Sequence, residues 1–415
     1  MSTSDTCYSE TDCLLLPKST ALHGHASLHE TILNIMKSCM GTGCLALPFA
    51  CQEGGIILYV VGVALIALWN VYAVERLCRC WELSVTITRA TPPPIGTTQL
   101  GAVTWYAFEK RGLWVLEMLL LVFFMGVLVA YVAAIDDFLS DTPFYHRGVV
   151  SLVAGLGMVL LSLVHDMGDL SRASALGLIV LASSCLLVAL VGIQQTIRQP
   201  QPLSLSPLHW WPVSRQGWSH WFGIVVIGYG VVPLTYNLRD SMTEPHRMVE
   251  ATSRALSAVF AFYVILGLGL YSLFPNVQGE LLQELGNGLI PTLTRLAMSG
   301  VVLLTAPLLL VPCSELVEGK LFPTRQERSW QEIFFVRCSM GAIAVGMALL
   351  VPSFVEALAL VGCACVGVLG LCLPPLLHLQ LASEASFGVR FVDSLCLLCG
   401  GIATIVSTLY AVGLF

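Results

Sequence analysis

The 415-residue chain is 56% hydrophobic and 11% charged, with a mean hydropathy of +0.81 and a formal net charge of −6. An ordinary soluble chain carries about 25% charged residues, spread over domain surfaces. The composition excludes a soluble multidomain enzyme and gives no basic face for nucleic acid, leaving one polytopic membrane domain over residues 30–415 behind a polar tail, residues 1–29.

The tail is rich in Ser, Thr, His and acidic groups, so no cleavable signal peptide is apparent and the first apolar run is expected to insert itself. Within it, Glu10-Thr11-Asp12-Cys13-Leu14-Leu15 fits the acidic dileucine pattern read by sorting adaptors of endosomes and lysosomes, with Glu10, Leu14 and Leu15 as the contacts. The alternative is a disordered tail with a few leucines.

A window of about 20 residues finds eleven candidate spans, near 31–50, 55–76, 113–138, 149–166, 173–194, 219–237, 253–274, 290–312, 331–351, 355–379 and 392–413. The first, NIMKSCMGTGCLALPFACQEGG, is interrupted by Gly41, Gly43 and Pro48. The second is unbroken, and its Gly62 is expected to tolerate alanine. Glu117 lies inside the third, where it is either a coupling group or the partner of Lys110 or Arg111; Asp136 and Asp137 at its far end, and Glu53 after the first span, are protonatable surface groups. His165-Asp166, after the fourth span, belongs to no recognised catalytic motif, and no Walker loop is present. The sixth span, WFGIVVIGYGVVPLTYNLRDSMTEP, is interrupted by Gly228, Gly230 and Pro233. Ser299 and Thr305 in the eighth are hydroxyls able either to hold sodium or to bond their own preceding turn.

Lysine and arginine set the orientation. With the N-terminus cytosolic, sixteen of the twenty basic residues fall in inner segments, and only Arg147, Arg198, Arg215 and Arg295 fall outside. This predicts a lumenal or extracellular C-terminus. Most of the fifteen cysteines lie within spans, where a thiol behaves as a small apolar group; none has metal-ligand spacing, and no cofactor is implied.

Unwound backbone at membrane depth survives only where it is buried in protein or lines a cavity, because lipid satisfies no amide or carbonyl. Interrupted segments at corresponding positions of two halves point to a secondary transporter's binding site. Close helix packing of small residues is the other reading of such glycines.

Four segments, in order, resemble the amino acid/auxin permease family, particularly its proton-assisted and vacuolar branches: the first span itself, AYVAAIDDFL at 130–139, GYGVVPLTYNLRDSMTEP at 228–245 and VPSFVEALALVGCACVGVLGLCLPPLLHL at 351–379. The resemblance implies a leucine-transporter-type fold, with helices 1–5 and 6–10 as inverted repeats, helices 1 and 6 broken and helix 11 appended. It also implies amino acid transport. Gly41, Thr42, Gly43 and Cys44 would then hold the substrate carboxylate at free amides, with Ile227, Gly228, Tyr229 and Gly230 closing the site. Two departures concern coupling. The histidine that the proton-assisted branch carries three residues before the lysine is Asn34 here, which does not titrate, and the acid beside the break in helix 6 is absent. Ion-coupling candidates are therefore Asn34, Glu117, Ser299 and Thr305, with H+ or Na+ as the ion. A vacuolar, lysosomal or plasma membrane fits. An amino acid sensor is the second functional class, and a passive channel, for which no span carries a continuous polar stripe, the third.

Overall fold

The computed structural model describes residues 24–86, 92–94, 97–142, 145–164, 167–198, 208–212, 214–277, 279–322 and 329–413. The dileucine motif and His165-Asp166 lie outside them. Within them, regular structure is helical apart from one isolated bridge. The chain opens with α1 (Leu28–Cys39), a 3-10 turn at Thr42–Ala46 and α2 (Leu47–Gly54), followed by α3 (Ile56–Thr86), α4 (Gln99–Leu139), α5 (Arg147–Val164) and α6 (Met167–Arg198). Then come α7 (Arg215–Gly228), a 3-10 turn at Val232–Leu234, α8 (Thr235–Ser241) and α9 (Met248–Leu273). A further 3-10 turn at Leu281–Leu285 precedes α10 (Leu289–Thr305), α11 (Pro307–Leu321) and α12 (Trp330–Ala348). The last spans are α13 (Phe354–Val361), a π-helix at Gly362–Cys372, α14 (Leu373–Leu381) and α15 (Phe387–Ala411).

Among the described residues nine helices are long and apolar enough to cross a membrane, and the bent pair Leu28–Cys39 and Thr42–Gly54 makes ten. The remaining expected span falls on α5, whose apolar stretch Arg147–Leu163 is shorter. Leu65, Leu68, Leu156 and Ile265 stand exposed on apolar helices, as lipid-facing side chains of a membrane bundle do. Burial sorts the spans: 72% of the apolar window of Phe354–Leu381 and 61% of that of Arg215–Ser241 are buried, against 17% for α15. The span with the second break therefore sits centrally beside the penultimate span, and the last span lies at the edge.

Two differences from the expected elements have local causes. The third span begins at Gln99 rather than 113, because Thr98 caps a helix that runs to a kink at Glu109, whose φ of +55° and ψ of −148° interrupt the helical path. The penultimate span carries a π-helical stretch where a regular helix was expected. There α7 and this span touch backbone to backbone: a Cβ on Gly223 would lie 2.1 Å from the Ala359 carbonyl oxygen, and one on Gly362 would lie 2.0 Å from that of Gly223. Only glycine permits the approach.

The start of the first span is also fixed. Ser27 and Glu30 form a capping box that starts α1. Just before it, the Ala26 amide donates to the Ser241 carbonyl at 2.9 Å, and the Thr243 amide and hydroxyl donate to the Ala26 carbonyl at 3.0 and 2.9 Å. Residues 24–27, expected as part of a free tail, are thus bonded to the end of α8.

Candidate functional site

Both predicted interruptions are present, in different forms. α1 ends at Cys39, Met40 leaves the helical region at φ −85° and ψ 70°, and Gly41 is extended. The chain resumes at Thr42 with its axis turned by 52°. The second interruption, at 229–231 between α7 and the Val232–Leu234 turn, leaves Arg215–Ser241 to run as one span. Pro48 and Pro233 each sit in the first turn of the restarted segment, where a missing N–H costs nothing.

The breaks meet on one side chain that the sequence did not single out. The Tyr263 hydroxyl of α9 lies 2.8 Å from the carbonyl oxygen of Cys39, the last residue of α1, and 2.8 Å from that of Gly228, the last residue of α7. Two helix C-termini, each bearing partial negative charge, therefore converge on one donor. Tyr263 is held in turn by Tyr59, whose hydroxyl donates to the Tyr263 carbonyl at 2.8 Å. Tyr59 fits because position 267 is glycine; a Cβ there would meet the Tyr59 oxygen at 2.1 Å.

Around this junction, Gly41 is exposed, Thr42, Gly43, Ile227, Gly228 and Gly230 are half-buried, and Cys44 and Tyr229 are buried. A Cβ at Gly41 would meet nothing within 4 Å, and one at Gly43 would make only ordinary contact, 3.6 Å, with Leu358 of α13. The amides of Thr42 and Gly43, first in their 3-10 turn, lack intrahelical acceptors by position. None of these glycines has a positive φ; they matter for the space they leave, not for backbone handedness. Tyr229 packs against Tyr263, ring centroids 5.1 Å apart, and its buried hydroxyl has no hydrogen-bond partner among the described residues.

The coupling candidates are dispersed. Asn34 is exposed on α1. Glu117 pairs with Lys320 of α11 at 2.7 Å, not with Lys110 or Arg111, which lie about two turns earlier on the same helix. The Ser299 hydroxyl donates to Arg295, and that of Thr305 to Val301 or Val302, in each case the preceding turn. Asp136 accepts from Tyr145 at 3.2 Å and pairs with Arg147 at 3.1 Å, while Asp137 accepts the Phe354 amide at 2.7 Å at the start of α13. Glu53 lies 3.6 Å from His220 of α7. At the opposite end, Asp393 of α15 is fully buried among Tyr72, Arg76 and His378, with His378 Nδ1 at 2.6 Å, and ties the peripheral helix to α3 and α14.

A bundle of broken and continuous helices whose discontinuities meet at its centre is the architecture of a secondary transporter. An outward-open, substrate-bound Na+-coupled sialic acid symporter superposes with a TM-score of 0.54 at 12% identity, covering 94% of this chain and 90% of that one. The fold is of the leucine-transporter type. Residues 24–412 match the family described as transmembrane amino acid transporter protein, and the chain belongs to that family. Similar members include amino acid transporter AVT3A of Arabidopsis thaliana, 24% identical over 93% of this chain and 90% of that one. Another is vacuolar amino acid transporter 4 of Saccharomyces cerevisiae, 23% identical over 72% of this chain and 42% of that one.

Proposed function

We propose that the chain carries amino acids across its membrane by alternating access, driven by a proton or sodium gradient, with eleven spans in a five-plus-five arrangement and α15 appended. The observation that carries this reading is the convergence of the Cys39 and Gly228 carbonyls on the Tyr263 hydroxyl, beside the Thr42–Ala46 turn. An α-amino acid presents an ammonium and a carboxylate on one carbon. Carbonyls at two helix C-termini suit the first, and the amides of Thr42 and Gly43 at a restarted helix suit the second. Gly41, Thr42, Gly43 and Cys44 form one wall of the site, and Ile227, Gly228, Tyr229 and Gly230 the other. The N-terminus faces the cytosol and the C-terminus the lumen or exterior, in keeping with the basic residues. The vacuolar transporter among its relatives favours a vacuolar or lysosomal membrane over the plasma membrane.

Purified protein in liposomes tests the reading. Labelled amino acids, assayed as a panel, should include at least one that accumulates against its gradient when a proton or sodium gradient is imposed. Equilibration without accumulation would indicate a channel, and binding without flux a sensor; either result refutes the proposal.

A further inference from the structure

The connection between α9 and α10 has a buried acid at its head. Its turn, Leu281–Leu285, buries Leu281, Leu282 and Leu285 and packs against both the Thr42–Ala46 turn and α6. Gly279, Gly286 and Gly288, at φ of +112°, +67° and +156°, let the chain reverse on either side. The Val277 amide donates to the Gln52 side chain at 2.7 Å, tying the connection to α2, the second half of the broken span.

Glu280 starts the turn and is 1% exposed. Its Oε2 accepts the Leu282 amide at 3.0 Å, while its buried Oε1 has no hydrogen-bond partner among the described residues. An ionised carboxylate with one oxygen unpaired in an apolar setting is costly, whereas the neutral acid is not. The charged groups around it pull in both directions. Asp137 and Asp141 face it from α4 and the residues just beyond, and Glu284 shares its turn. Arg295 of α10 binds Asp141 at 2.9 Å and the Leu282 carbonyl at 3.2 Å through Nη2, while its buried Nη1 has no hydrogen-bond partner among the described residues and its charge favours the carboxylate; Arg147 is engaged with Asp136. Burial first, and then Asp137 and Asp141, push the Glu280 carboxyl up to about 8, against the pull of the Leu282 amide and Arg295. Water reaches the edge of this cluster: the Asp141 side chain is 47% exposed and borders an open depression shared with Thr142, Asn287 and Thr292.

We propose that Glu280 is a proton-binding site of the transport cycle, where a proton taken from the lumenal or extracellular side seats the Gly279–Gly288 segment on the broken turn and its release frees that segment. The proposal rests on the transport reading and orientation given above. The transfer is simple: a proton passes from water to the carboxylate, and no other bond changes. Its direction follows from linkage. The seated form binds the proton more tightly than a carboxyl in water, which titrates near 4.5, so seating is favoured in full below that value and the bias is lost as pH rises through about 8. Arrival from an acidic compartment thus closes that mouth with the proton bound. This supplies a proton-handling group where Asn34 cannot.

Hydrogen exchange on the intact purified protein, without substrate or gradient, tests the inference. After correction for intrinsic exchange, protection of 281–285 should rise by about tenfold or more between about pH 8.5 and 5 in the wild type. Glu280→Gln, which mimics the protonated acid, should be protected at both pH values. Asp141→Asn, which removes a facing charge and releases Arg295, should move the midpoint to lower pH. Protection independent of pH in the wild type overturns the proposal, as does a wild-type response in Glu280→Gln or an unmoved midpoint in Asp141→Asn. Should Glu280→Gln not fold, the wild-type and Asp141→Asn measurements decide alone. Failure here leaves the transport reading standing, and absence of uptake in liposomes removes that reading without touching this result.

Discussion

Alanine at Gly43 and alanine at Gly228 should fail for different reasons, and the difference tests the assignment of the breaks. At Gly43 the added methyl reaches only Leu358, at 3.6 Å, and the backbone is in no strained region, so the protein should fold normally. Relative to glycine, alanine favours helix by about 1 kcal/mol, which biases the break toward rewinding and withdraws the amides of Thr42 and Gly43. A bias of that size predicts roughly fivefold weaker binding, and more if the methyl also meets the substrate. At Gly228 the methyl would lie 2.9 Å from the Tyr263 oxygen and 3.0 Å from its ring. Overpacking costs about 1–3 kcal/mol, and displacing Tyr263 loses a hydrogen bond worth about 1 kcal/mol, so this variant should lose stability as well as affinity. Competition binding and thermal unfolding on purified protein separate the two. Gly62, expected to tolerate alanine, has no room for it, since its Cβ would fall 2.1 Å from Trp221 of α7; Gly300→Ala, with nothing within 4 Å, serves as the control. Wild-type affinity in a stable Gly43→Ala protein would refute the reasoning.

Further outcomes follow from the same geometry. Tyr263→Phe should lower stability by about 1–3 kcal/mol, because the carbonyls of Cys39 and Gly228 lose the one donor they share, and should weaken binding; an unchanged unfolding temperature would show that the carbonyls find other partners. Gly362→Ala should fail to yield folded protein, its Cβ having no room beside the Gly223 backbone; recovery of a monodisperse, active protein would contradict that crossing. A reporter fused after Phe415 should face the lumen or exterior, and a cytosolic signal would break the odd span count. Asn34→His should make uptake more sensitive to pH between about 5 and 7, around a histidine's unperturbed pKa; an unchanged profile in a folded protein would take this position out of proton handling.

The breaks were legible in the sequence because glycine and proline inside apolar runs leave few alternatives in a membrane. The spans were legible because lipid demands long apolar stretches. Tyr263 was not, since AFYVILG reads as continuous apolar helix and a single tyrosine there has no local mark. Its role arises from α9 packing against α1 across more than two hundred residues. The Glu117–Lys320 pair was missed for the same reason: sequence reasoning reached for the nearest cations, and the actual partner lies on another span. Glu280 has no local mark either, because its burial comes from the way the turn carrying Leu281, Leu282 and Leu285 packs on distant spans.

The bonds between Ala26 and the Ser241–Thr243 backbone bear on how the end of the bundle formed by α1 and α8 would open. They work as a hasp between the entry segment of the first broken span and the exit segment of the second. α1 cannot swing outward alone without parting three hydrogen bonds, so the low-cost motion carries α8 with it, like two leaves of a door on one latch. Cleaving the backbone just before α1, or lengthening it there, should therefore change the rate of opening at that end while leaving the Tyr263 junction intact.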